Sequence, residues 1–259
     1  MSRAITVHSH KGGTGKTLIA ANLAAIYAKN GRSVCLLDFD LRAPSQHILF
    51  KTTPKYWLND FLEGICDIKS AITDLSEKYG SKGRFFVGFA NPSSKAIREM
   101  MIKDRRWEME ALKRMIKAKD TLYSDSKVDY LIFDTSPGIY YSSINAIACS
   151  DAVLLVMKMD EFDIEGTEEL ISGIYDALGR KKTGIIVNRI ISKQQGTLTE
   201  DEAKMIKELE STFARPIIAM IPCFCDIQLT GGKAIYALKN PEHSFIEILE
   251  EVSQELEQL

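Results

Sequence analysis

Residues His10–Thr17 read His-Lys-Gly-Gly-Thr-Gly-Lys-Thr. Glycines at such spacing let the backbone curl until several N–H groups point inward at an anion, and a helix that follows adds the positive end of its dipole. In a loop of this kind Lys16 reaches the β- and γ-phosphates of a nucleoside triphosphate, and the Thr17 hydroxyl ligates Mg²⁺. The plainer alternative is a glycine-rich turn with a chance Lys-Thr. The flanks argue against it: residues 5–9 read as a strand, and residues 18–29 as an Ala-rich helix stopped by Asn30 and Gly31. Gly12, Gly13, Thr14, Gly15, Lys16 and Thr17 are therefore candidate nucleotide contacts.

Three further groups could complete such a site. The run LLDFD carries Asp38 and Asp40 at the end of a second strand. Carboxylates two residues apart on a strand share a face. Beside a phosphate loop they can hold Mg²⁺ through water and orient an attacking water, whereas elsewhere they would be an acidic turn. The run YLIFDTSPG, residues 130–138, is an apolar strand ending in Asp134 and a Pro-Gly turn. Asp134 fits the acid that binds the Mg²⁺ water shell. The strand TGIIVNR ends in Asn188 and Arg189, a polar ending that is unremarkable by itself.

These residues need a scaffold that brings strand ends together. Compact apolar runs at residues 4–7, 34–37, 85–89, 130–133, 152–157, 185–187 and 217–221 suit strands buried on both faces. Helical patterns lie between them; Leu170, Ile171, Ile174, Tyr175 and Leu178 make one such face. The alternation predicts an α/β protein with a doubly wound, mainly parallel sheet, helices on both faces and a P-loop. Ligands of such sheets bind at the carboxyl ends of the strands. No repeat or linker interrupts residues 1–259, so one domain is expected, with residues 52–83 the least regular stretch and a candidate insertion over a sheet edge.

The loop departs from the common GxxxxGK[ST] form: His10 stands at its first glycine and Lys11 follows. This KGGxGK[ST] arrangement resembles the deviant Walker A loop of the MinD/ParA family of ATPases, and the resemblance runs from Ile5 to about Phe245. It implies that Lys11 crosses a dimer interface to the partner's nucleotide. It implies that Asp38-Phe39-Asp40 is a first switch, with Asp40 positioning the hydrolytic water and Asp38 nearer the metal. Thr135–Tyr140 then looks like a second switch in which the Gly138 N–H senses the γ-phosphate. Asn188 would read the adenine edge, with Arg189 packing on the base. Ile221-Pro222, which adds Pro222 to the nucleotide contacts, and Gly231–Lys233 also stand in family order, and residues 144–157 are similar to the MinD subgroup. The cofactors implied are ATP and Mg²⁺, and the implied partners are an ATP-dependent homodimer and an unidentified protein.

Composition limits the rest. The chain has 259 residues, 45% hydrophobic, with a formal net charge of −2, so attraction to nucleic acid or membrane would need a local patch. With no signal-peptide pattern, no apolar span and an odd five cysteines, a cytoplasmic protein is expected. Residues 95–119 carry nine Lys/Arg against four Asp/Glu, together with Trp107 and four methionines. The segment could bind a partner or DNA, although an ordinary helix with a charged face and a Met-filled core side explains it as well. The final stretch, residues 244–259, is amphipathic with an acidic polar face, so an anionic bilayer would repel it and it should pack on the sheet. Cys223 and Cys225 could hold a metal in a two-fold dimer or be small buried hydrophobes.

The expected function is therefore a slowly hydrolysing ATP switch that dimerises with ATP and controls spatial positioning or partner recruitment, as in cell division or partitioning. The rival readings are a metal-cluster carrier scaffold of the Mrp type, an ATP-dependent biosynthetic ligase or amidotransferase, and a bacterial tyrosine kinase domain suggested by the stretch DFDLRAPS. Carriers of the Mrp type place a CxxC after the strand equivalent to the one ending in Asn188, where this chain has none.

Overall fold

The computed structural model describes residues 2–179, 182–191, 200–230 and 234–259. The expected Gly231–Lys233 element lies outside them. Among the described residues eight strands form one sheet: β1 (Arg3–His8), β2 (Val34–Phe39), β3 (Ile72–Asp74), β4 (Phe85–Gly88), β5 (Tyr130–Thr135), β6 (Ala152–Lys158), β7 (Thr183–Ile190) and β8 (Ile217–Pro222). Their order is β3-β4-β2-β5-β1-β6-β7-β8, parallel except for β3, which runs antiparallel to β4. The doubly wound, mainly parallel sheet expected from the apolar runs is present.

The helices are α1 (Lys16–Lys29), α2 (Gln46–Phe50), α3 (Leu58–Glu63), α4 (Ile68–Ala71), α5 (Ser76–Tyr79), α6 (Ser94–Met101), α7 (Arg105–Ser124), α8 (Tyr141–Cys149), α9 (Glu161–Leu170), α10 (Glu200–Phe213), α11 (Cys225–Leu229), α12 (Tyr236–Lys239) and α13 (Ser244–Gln258). A π-helical turn, Ile171–Tyr175, continues α9. The face predicted there is real: Leu170, Ile171 and Tyr175 are buried, and Leu178 at its end is 37% exposed.

Strand periodicity divides the core. Ile5, Val7, Leu36, Ile132, Leu154 and Ile186 face α1 and α13, whereas Cys35, Leu37, Leu131, Leu155 and Val187 face the opposite side of the sheet. Residues 19–28 of α1 are all buried, because alanines let the helix lie close between sheet and α13. The acidic last helix does pack inward, burying Phe245, Ile246, Leu249, Val252 and Leu256. Ile248 is only half-buried.

Two edges differ from the sequence reading. The irregular stretch 52–83 holds three short helices and β3, which sequence patterning missed because three residues make no pattern. At the other edge β8 is only half-buried, since one flank has no neighbouring strand among the described residues. In the basic segment Ala96, Ala111, Met115 and Ala118 are buried, with Met100 and Trp107 partly so, while Met101 and Met109 are exposed. Its apolar residues divide evenly among buried, partly buried and exposed, with Ile102 and Ile116 also exposed, so the segment packs one face inward while only Met115 of its four methionines is fully buried.

Candidate nucleotide site

The site forms where β1, β2, β5, β7 and β8 end, at one edge of the sheet. The loop between β1 and α1 turns through Gly13 at φ 75° and Gly15 at φ 99°, left-handed values that favour glycine. Gly15 is also fixed by space, because a Cβ there would lie 2.5 Å from the Asn188 amide nitrogen. Asn188 Nδ2 donates to the Thr14 carbonyl at 2.7 Å, and the Arg189 N–H donates to Asn188 Oδ1 at 2.9 Å. Arg189 is itself left-handed, at φ 63°, where the register of β7 against β8 shifts. The Asn188 amide therefore braces the phosphate loop, a role the sequence reading did not include. Asn188, Arg189 and Pro222 line a cavity of about 300 Å³ with Leu18 and Phe224, wide and apolar enough for an aromatic base.

On the other side of the loop lies an acidic cluster. Asp38 and Asp134 are direct neighbours in the β2–β5 register, both fully buried. Neighbouring strands run about 4.8 Å apart, so two like charges face each other out of water. Burial, then Asp134, then Asp40 push the Asp38 carboxyl well above its ordinary value. Asp134 is likewise raised, chiefly by burial, with the Lys16 cation opposing. Gln46, at the start of α2, donates its amide to Asp134 Oδ2 at 2.7 Å and its backbone N–H to Asp38 Oδ2 at 3.4 Å. Asp134 Oδ1 is buried with no hydrogen-bond partner among the described residues. An orphaned carboxylate oxygen, a second buried carboxylate and the Thr17 hydroxyl at the head of α1 are hard oxygen donors that fit Mg²⁺. Gln46 was invisible in the sequence, eight positions from Asp38 in no motif.

A stability prediction follows from this pair. A carboxyl raised in the fold binds its proton more tightly there than in the unfolded chain, so its penalty is absent below the ordinary carboxylate range near ~4 and complete above the raised value. In Mg²⁺-free buffer Asp38→Asn should therefore melt higher than wild type, and the gap should widen as pH rises from about 4 toward neutrality. Added Mg²⁺ should narrow it. Parallel melting curves across that range test this, and a gap independent of pH would contradict it.

Lys16 is buried between the loop and these acids; burial lowers its pKa while Asp134, Asp40 and Asp163 hold it up. Asp40 is half-buried, and its Oδ1 accepts from Ser136 Oγ at 2.7 Å and from the Ala43 N–H at 3.1 Å. This links the two candidate switches directly. The Gly138 N–H donates to the Ser9 carbonyl at 2.8 Å, so it can reach a phosphate only by exchanging that bond. Thr135 donates to the Val7 carbonyl and accepts from His8 Nδ1 at 2.7 Å, tying the end of β5 to β1. His8 is held neutral, its pKa lowered to about 3 by burial, then Lys16, then His10. Lys11 stands at the rim, paired with Asp160 at 3.4 Å and lying 5.0 Å over the exposed Phe162 ring. Cys223 and Cys225 are exposed beyond β8, and no group of three or more metal-ligating side chains occurs among the described residues.

A glycine loop between strand and helix, a buried lysine and paired acids at the adjoining strand ends define a P-loop nucleotide-binding protein. Residues 2–187 match the AAA domain family model. An uncharacterised ATP-binding protein of Methanocaldococcus jannaschii is 32% identical over 86% of this chain and 75% of its own length. The septum site-determining protein MinD of Thermotoga maritima is 29% identical over 91% of this chain and 80% of its own length. The structure of the MinC:MinD cell division protein complex of Aquifex aeolicus superposes with a TM-score of 0.77 at 20% identity, covering 100% of this chain and 96% of that one. The chain belongs to the MinD/ParA family of ATPases.

Proposed function

We propose that this chain is an ATP-driven switch that dimerises around two bound nucleotides and, in that state, positions or recruits a protein partner in cell division or partitioning. The observation that carries this reading is Lys11, a second loop cation at the surface rather than in its own site, with side-chain exposure of 36%. Phe162, under the Lys11 cation, is exposed, as are Ile139 and Tyr141 in and after the second candidate switch, apolar surface that a second copy would cover. The base lies in the cavity between Asn188, Arg189 and Pro222, and the loop amides of residues 12–17 cradle the phosphates. Mg²⁺, when bound, neutralises charge on the β- and γ-phosphate oxygens. Thr17, Asp38 and Asp134 are the residues to hold it.

Asp40 is the residue to orient the attacking water. Its contact with Ser136 lets a change in either switch move the other. The γ-phosphate draws the Gly138 N–H away from Ser9, and the loss of that phosphate on hydrolysis lets the bond re-form. The experiment is to compare Asp40→Ala with wild type. Mg-ATP affinity should stay near wild type while steady-state hydrolysis falls about 100-fold, as expected when a reacting water loses its positioning group. The variant should also accumulate as an ATP-bound dimer in light scattering. Unchanged turnover would move the role to Asp38.

A further inference from the structure

Helix α9 carries Gly166 in its interior, where glycine weakens a helix relative to alanine. Its backbone gives no reason for glycine, because it is not among the residues with positive φ. The reason is space. A Cβ on Gly166 would lie 2.0 Å from both Cε1 and Nδ1 of His10 and 2.6 Å from its Cγ. The imidazole rests where a side chain would stand, and its Nδ1 is buried with no hydrogen-bond partner among the described residues.

His10 occupies the position that the common phosphate loop gives to glycine. Its neighbours on both sides are engaged. The Ser9 carbonyl accepts from the Gly138 N–H at 2.8 Å, and Lys11 pairs with Asp160, which caps α9 by accepting from the Asp163 N–H at 3.0 Å. The first turn of the loop thus lies between the second candidate switch and the start of α9, with the His10 ring as the wedge on the α9 side.

We infer that His10 is a positioning residue of the phosphate loop: seated on Gly166, it lets α9 set where the loop's first turn, and with it Lys11, stands. The inference rests on the nucleotide-site reading above. Gly166→Ala removes the seat while improving intrinsic helix propensity, so a loss cannot be ascribed to a weakened helix. By calorimetry Gly166→Ala should weaken Mg-ATP binding about tenfold, the scale of a side chain forced into a filled site. His10→Ala should lose less. The double variant His10→Ala/Gly166→Ala, in which the new methyl enters the space left by the imidazole, should bind Mg-ATP more tightly than Gly166→Ala alone. That rescue ties the loss to the contact between the methyl and the imidazole, and a fall in Mg-ATP affinity larger than any fall in melting temperature explains separates loop positioning from a merely structural role for Gly166. Near-native affinity in Gly166→Ala, or a double variant no better than it, overturns the inference. If Gly166→Ala does not fold, a folded, ATP-binding double variant supports the seat and an unfolded one overturns it. A wild-type protein that binds no Mg-ATP would instead sink the site reading itself.

Discussion

Lys16→Ala should abolish measurable Mg-ATP binding. Lys16 is 6% exposed and lies among Asp134, Asp40 and Asp163, which hold up a pKa that burial lowers. Its removal acts twice. The phosphates lose the one cation that the loop directs into its own site, and they meet an acidic cluster no longer offset by positive charge. Truncating one partner of a buried, hydrogen-bonding charge pair costs about 2–5 kcal/mol, so a loss of roughly a thousandfold in affinity, near 4 kcal/mol, is expected. Calorimetry with Mg-ATP and Mg-ADP reads it directly, with a melting curve to establish that the variant folds. The affinity for both nucleotides should fall together, because Lys16 serves the β- as well as the γ-phosphate. Near-native affinity would end the assignment of residues 10–17 as the phosphate loop.

The parts of this site that the sequence disclosed are those in which chemistry and chain order coincide. Gly13, Gly15, Lys16 and Thr17 are consecutive or nearly so, and the loop's backbone demands are local, so their spacing is informative. Asp38 and Asp134 each end an apolar run, and the parallel register that puts them side by side follows from the βα alternation. The contacts across the fold were not legible. Gln46 reaches Asp134 over 88 positions, Asn188 reaches Thr14 over 174, and Lys11 pairs with Asp160 over 149. Nothing near Gln46 marks it, and an asparagine ending a strand has no sequence signature for a brace. The role expected for Asn188 from family resemblance, reading the base, now has to share an amide already engaged at both ends. The edges of the sheet were poorly legible for a related reason. β3 is short, and β8 reads as a fully buried strand although only one of its flanks is paired among the described residues.

The extra lysine supplies the most consequential expectation. Within one subunit Lys16 already serves the β- and γ-phosphates, and Lys11 instead sits at the rim against Asp160 and Phe162. Both members of that ion pair are more than a third exposed, so the pair contributes at most about 1 kcal/mol and is readily given up. A nucleotide in a facing copy would offer far more: a polyphosphate from which the interface would exclude water, where charge–charge attraction is much stronger than at the rim. One symmetric contact would then complete both sites, as a two-fold interface requires. Each Lys11 would stabilise charge on the partner's transferring phosphoryl group, in the manner of an arginine finger supplied in trans. Lys11→Ala should therefore retain Mg-ATP binding as a monomer, lose ATP-dependent dimerisation, and hydrolyse ATP about a thousandfold more slowly, the lower range for such a finger. The decisive comparison uses Asp40→Ala to trap the ATP state. Light scattering should report a dimer with ATP and a monomer with ADP, and Asp40→Ala/Lys11→Ala should stay monomeric with either. A trapped protein that remains monomeric with ATP at high concentration, or one that dimerises equally well without Lys11, defeats the switch. The ATP-dependent ligase reading, which has no need of a second loop cation, would then account better for the site.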